Sequence, residues 1–279
     1  MSSAKGVIVN LHFWSSINDI LMSVGAIPYV IYPVPAGFPL GLFSTLNISP
    51  YIQSYLVISG LSTVGASLVI FFENRYDILV IGPKRSHYRN PTRKAIAILM
   101  YVYSFTYLLP MFAELPDPKV GKVYARSVLP CLPETIYNHP NFTTLNTSAS
   151  VFSFIIGFSV SMAILPNLYF VPTTAYYIFN LPSSSVNTKK CQKKFFISLC
   201  IQALIPIFIM LVPHFYVLVT FWTGYFDQAL NNFAEIIASC HGMISTIVMI
   251  SVHSPYQKAV FELFRFRKGS VVAKNVSLT

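Results

Sequence analysis

Charge is scarce in this chain. Nine acidic and 19 basic residues among 279 make charged side chains 10% of the total, where a soluble chain carries about a quarter. The length would suit two soluble domains, but so little charge could not keep them in solution, and disorder, a coiled coil and a collagen-like chain are excluded on the same ground. Cysteine is equally sparse. Cys131, Cys191, Cys200 and Cys240 form no CxxC or Cys/His cluster, so neither a zinc site nor a redox pair is expected. There is no internal repeat and no low-complexity tract. A Walker loop, GxSxG, HExxH and a paired-carboxylate arrangement are all missing, which argues against an enzyme.

What is abundant is apolar. Hydrophobic residues are 54% and the mean hydropathy is +0.59, which places the chain in a lipid bilayer as a multi-pass, all-α bundle forming one domain over residues 1–279. Six stretches of about 20 apolar residues, the length a membrane helix needs, lie near 6–31, 52–72, 94–113, 151–179, 195–222 and 232–252. They are continuous runs rather than the short alternating segments of a barrel, so sheet is not expected. Pro166, Pro172, Pro206 and Pro213 predict bends in the fourth and fifth. The first run is too long for a signal peptide and is interrupted by His12, Asn18 and Asp19.

The net charge of +10 has a direction. All but three of the basic residues, Lys119, Lys122 and Arg126, fall in one set of connections and the termini. That set is read as cytoplasmic, which puts both ends inside, makes 253–279 a cytoplasmic tail and removes the need for a nucleic-acid partner. The sequons at Asn47, Asn141 and Asn146 fall on the opposite, outer side, where they can accept glycans; Asn275, in the tail, should stay bare.

Polar residues within spans mark function or need a buried partner. Asp19 and His241 lie at similar depths, roughly 17–20 Å from the inner ends of their spans at 1.5 Å per residue, so they could form a hydrogen bond or ion pair if their helices are neighbours; separate bonds to nearby Ser, Asn or backbone groups are the simpler reading. His214 and Gln202 in the fifth span could line a ligand cavity, although a buried histidine is as readily satisfied by a backbone carbonyl. Glu235, near the outer end of the last span, could meet a cationic ligand; a solvated helix end is the simpler reading.

Several motifs recur in order: Phe72-Glu73-Asn74-Arg75 at the inner end of the second span, His241-Gly242-Met243-Ile244-Ser245-Thr246 in the last, and His253-Ser254-Pro255-Tyr256 after it, with Leu129-Pro130-Cys131-Leu132-Pro133 in an outer loop. Together they resemble the nematode serpentine chemoreceptors of class H, the Srh family, over nearly the whole chain. The resemblance implies a G protein-coupled receptor of the plasma membrane of sensory neurons, with a small-molecule ligand, a heterotrimeric G protein as partner and no cofactor or metal. That family has seven spans; this chain begins just before the segment matching the second, so its six would be helices two to seven, and the second and seventh are neighbours. Glu73, Asn74 and Arg75 would form a coupling switch, with Arg75 held at rest by Glu73 or by a neighbouring helix. His253, Pro255 and Tyr256 would end the last helix. The outer loop of such receptors is commonly tied to the top of the third helix; Pro50-Tyr51-Ile52-Gln53 offers no cysteine there, so Cys131 lacks that partner. The competing functional classes are a transporter or channel subunit, which substrate flux without a G protein would reveal, and a truncated receptor remnant that does not signal.

Overall fold

The computed structural model describes residues 2–82, 88–180, 186–252, 257–258 and 261–262. The six apolar stretches are helical over most of their length. The elements are α1 (Ser2–Ile20), β1 (Pro28–Val30), β2 (Ala36–Pro39), α2 (Leu42–Thr45), α3 (Pro50–Tyr76), α4 (Arg89–Thr106), α5 (Leu109–Ala113), α6 (Pro118–Val128), α7 (Glu134–Tyr137), β3 (Thr143–Thr144), α8 (Ala149–Asn180), α9 (Val186–Thr223), α10 (Gln228–Ser239) and α11 (His241–Val252). Wide turns extend α1 through Leu21–Gly25 and α3 through Asp77–Ile81. Among the described residues, three stretches are long and apolar enough to cross a membrane, Pro50–Ile81, Arg89–Ala113 and Ala149–Asn180.

Many polar and small residues face inward, and many large apolar ones face outward. Phe154, Leu168, Phe208, Phe215 and Trp222 are exposed, while Asn18, Thr63 and Ser67 are fully buried. This is the arrangement a lipid solvent favours, because tails are as apolar as leucine and helices associate by close packing instead. At the centre is α3, packed against α1, α4 and α8. Small residues permit its approach to α8: a Cβ on Gly65 would lie 2.9 Å from that of Ala163, and the Ser62 and Ser159 hydroxyls are 3.2 Å apart. Gly60 leaves comparable room for Asn18 of α1. Pro166 and Pro172 both lie inside α8 without ending it.

Three boundaries differ from expectation. The first run leaves the helix after Gly25 and continues as β1. The third is divided between α4 and α5. The last breaks at Cys240, where α10 gives way to α11.

The bundle is otherwise all-α, but a small antiparallel sheet in the order β1-β2-β3 caps one end. Tyr29 pairs with Phe38 and Val30 with Gly37, while Ala36 faces Thr144. A Cβ at Gly37 would lie 2.2 Å from the Tyr29 carbonyl oxygen, so the hairpin needs glycine there. Ile31, Val34, Ala125, Leu129, Tyr137 and Phe142 make a separate core under the sheet. Hydrogen bonds fasten the hairpin to α10: Gln228 Nε2 donates to the Val30 carbonyl at 2.9 Å and Asn231 Nδ2 to that of Tyr32 at 3.1 Å.

Candidate functional site

A cavity of about 370 Å³ lies among α1, α3, α8, α9, α10 and α11, within the range of about 300–1,000 Å³ typical of small-molecule sites. Most of its wall is aliphatic. Among its polar groups are Tyr32, Asn167, His214, Glu235 and His241. A smaller cavity of about 110 Å³ lies beneath the sheet and shares Tyr32, Ile58, Leu61, Phe152 and Glu235 with the first. The Tyr32 hydroxyl donates to Glu235 Oε1 at 3.4 Å, so this pair stands at the partition between the two chambers. Glu235 is therefore not a solvated helix end. The hairpin folds back over α10 and half-buries it, a tertiary event that its place near a span boundary did not disclose.

The break between α10 and α11 sets the floor of the cavity. His241 is 1% exposed. Its Nδ1 lies 2.8 Å from the Ala238 carbonyl oxygen and 3.0 Å from Asp19 Oδ1. Both neighbours are acceptors, so Nδ1 carries the hydrogen. The same Asp19 oxygen accepts the backbone N–H of Gly242 at 3.2 Å, capping the start of α11. A carboxylate is suited to this place because the first turn of a helix has free N–H groups and a positive end. Thus Asp19 of α1 and His241 of α11 meet directly. His241 Nε2 is buried and has no hydrogen-bond partner among the described residues.

His214 also lines the cavity, and its Nδ1 lies 2.7 Å from the Met210 carbonyl oxygen within α9. The side chain of Gln202 and all of His253, Pro255 and Tyr256 lie outside the described residues. Among the described residues no three His, Cys, Asp or Glu side chains gather as a metal site.

The end of the bundle remote from the sheet carries a charged clasp. Arg93 of α4 forks onto Glu73, with Nε 2.8 Å from Oε1 and Nη2 2.8 Å from Oε2. Its Nη1 reaches Asp77 Oδ2 at 2.7 Å and its Nη2 reaches Asn74 Oδ1 at 3.1 Å. Arg89 adds Nε to Asp77 Oδ1 at 2.6 Å. The chemistry follows from spacing: Glu73 and Asp77 are four residues apart, as are Arg89 and Arg93, so each pair shares a helix face. The guanidinium fork suits two carboxylates at once. Sequence reasoning counted Arg89 and Arg93 only as cytoplasmic charge. The ion pairs that Glu73 makes among the described residues run to α4 and not to Arg75. Arg75 is buried, 5% exposed, with its guanidinium 5.5 Å from the centre of the Phe71 ring.

Asn47, Asn141 and Asn146 all lie at the sheet end, and Asn47 is exposed. Cys131 is an exposed free cysteine in the loop between α6 and α7.

Residues 1–266 match the family model described as the serpentine type 7TM GPCR chemoreceptor Srh. A curated relative from Caenorhabditis elegans, serpentine receptor class H-72, is 25% identical over 282 aligned positions, which cover 99% of this chain and 80% of that protein.

Proposed function

The chain belongs to the Srh family of serpentine seven-transmembrane chemoreceptors, a membrane receptor family and not an enzyme family, and from that premise we propose that it binds a small amphipathic compound in the cavity of about 370 Å³ and passes the event to a heterotrimeric G protein. The observation that carries this reading is the cavity itself, apolar along its wall and polar where Tyr32, Glu235 and His241 meet it. In this reading the sheet end faces outward and the clasp end faces the cytoplasm of a sensory neuron. Compound enters from the outer half. Loops 73–94 and 180–194 and the tail contact the Gα subunit.

Binding signals only if one helix arrangement is favoured over another, since equal affinity for both shifts nothing. The break at Cys240 supplies a joint for such a shift, because it lies between the two cavity residues Glu235 and His241. The switch we assign to Glu73, Asn74 and Arg75 then acts through α4: release of Arg93 from Glu73 and Asn74 loosens the clasp end and unpacks Arg75.

The test is nucleotide exchange on purified Gα subunits by the full chain in lipid discs, over a panel of small amphipaths. Stimulation by a compound that also binds saturably supports the receptor. Flux of the same compound through proteoliposomes, with no exchange on any Gα, would instead assign a transporter.

A further inference from the structure

Resting on the receptor reading, the cavity's polar groups also specify the ligand's chemistry. Among its described lining residues there is no lysine or arginine. There are instead acceptors in need of donors: Asn167 Oδ1 is buried without a partner among the described residues, and two more bear on the ligand's head group. The first is the Glu235 carboxylate, whose hydrogen bond among the described residues is the long one, 3.4 Å, from the Tyr32 hydroxyl. An acidic side chain in an apolar wall is costly and marks a site whose partner should be named. The second is His241 Nε2. With Nδ1 carrying its hydrogen toward Ala238 and Asp19, a neutral ring would leave Nε2 a lone pair to offer, and Nε2 is buried and unpartnered among the described residues. An acceptor without a donor in such a place loses free energy that an entering N–H restores.

A ligand carboxylate would meet Glu235 as a like charge and find no fixed cation. A plain hydrocarbon would offer the Glu235 carboxylate no donor. We propose that the cavity takes a small primary or secondary amine with an apolar tail, its ammonium group held by Glu235 at the partition between the two chambers and its tail in the aliphatic main chamber. The ammonium supplies short, charge-assisted hydrogen bonds in place of the long one from Tyr32. Tyr32 is thereby the residue displaced: its ring rests edge-on against Phe221, at 5.4 Å between centroids, while its hydroxyl gives up the carboxylate. His241 is the second acceptor deeper in the cavity, held in orientation by Asp19.

Three matched probes separate the possibilities: hexylamine, 1-hexanol and hexanoate, each titrated calorimetrically into the full chain in lipid discs, with empty discs as the blank for partition into lipid. Hexylamine should bind saturably and about tenfold or more tighter than hexanol, the step that one charge-assisted contact confers. Glu235→Gln should abolish that preference by lowering hexylamine affinity far more than hexanol affinity, and Glu235→Asp, which keeps the charge, should retain it. Tyr32→Phe, lacking the competing hydroxyl, should bind hexylamine at least as tightly as the parent. Thermal unfolding of each variant separates lost recognition from lost fold, and should Glu235→Gln not fold, Glu235→Asp and Tyr32→Phe carry the decision. Equal affinity for hexylamine and hexanol, tighter hexanoate, or a preference for amine that survives Glu235→Gln would overturn the proposal. These titrations contain no G protein. Amine selectivity with no exchange on any Gα keeps the amine site and removes the receptor reading; exchange driven by alcohols alone does the reverse.

Discussion

The Asp19 carboxylate occupies the space that a side chain at Gly242 would fill: a Cβ there would lie 2.3 Å from Asp19 Oδ2 and 2.8 Å from its Cγ. Glycine after His241 is thus a condition of the α1–α11 contact. Gly242→Ala should lower the thermal stability of the detergent-solubilised chain by about 1–3 kcal/mol, the usual cost of overpacking, even though alanine is the better helix former. In an Asp19→Ala background the same change should cost much less. Equal losses in both backgrounds would dissociate Gly242 from Asp19. Asp19→Ala and His241→Ala should likewise couple, by about 0.5–3 kcal/mol in a double-mutant cycle; strict additivity would remove the pair.

Arg93 holds Glu73, Asn74 and Asp77 together, whereas Arg89 makes one close contact with Asp77 and a 3.4 Å contact with Glu73. Arg93→Ala should therefore destabilise more than Arg89→Ala. Breaking a fully buried pair costs about 3–5 kcal/mol, but the Arg93 and Glu73 side chains are 19% and 21% exposed, so roughly 1–3 kcal/mol is expected after solvent screening. In the receptor reading, Arg93→Ala should also raise exchange in the absence of ligand. Thermal scans and basal exchange rates check both parts.

Arg75 lies buried against Phe71. Truncation to alanine removes packing as well as charge, and should lower stability together with G protein coupling. Arg75→Lys should restore the stem and only part of the coupling, since the planar fork is not replaced. Exchange is compared at equal surface level. Undiminished exchange in Arg75→Ala would return the residue to a structural anchor.

Asn141 and Asn146 should accept glycans when the chain is expressed with microsomes, and Asn275 should not. Glycosidase-sensitive mass shifts in single Asn→Gln variants make the assignment. Glycan on Asn275 with Asn141 and Asn146 bare would invert the orientation.

How much of this was legible depended on the kind of signal. The helical bundle followed from long apolar runs. Equal depth along two spans left the Asp19–His241 contact as one of two open readings, because depth alone does not say which helices are neighbours. The clasp was hidden by a competing explanation: Arg89 and Arg93 were absorbed into the positive end of the bundle, although their four-residue spacing matches that of Glu73 and Asp77. Glu235 was misjudged because its burial comes from a hairpin far away in the chain. The hairpin itself gives no alternating pattern. Pro28, Pro33, Pro35, Gly37, Pro39 and Gly41 crowd that segment, and its pairing depends on a close backbone approach at Gly37 that hydropathy does not register.

The central claim is that the cavity and the clasp end are coupled. Coupled sites must be so reciprocally: if ligand favours the G protein-binding arrangement, G protein must tighten ligand. The decisive measurement is the affinity of the tightest-binding probe of the amine, alcohol and acid series for the full chain in lipid discs, without Gα and then with saturating nucleotide-free heterotrimer. The account predicts tightening of roughly 5- to 150-fold, the usual span of allosteric coupling, reversed by a non-hydrolysable GTP analogue. The same affinity in all three conditions would contradict it.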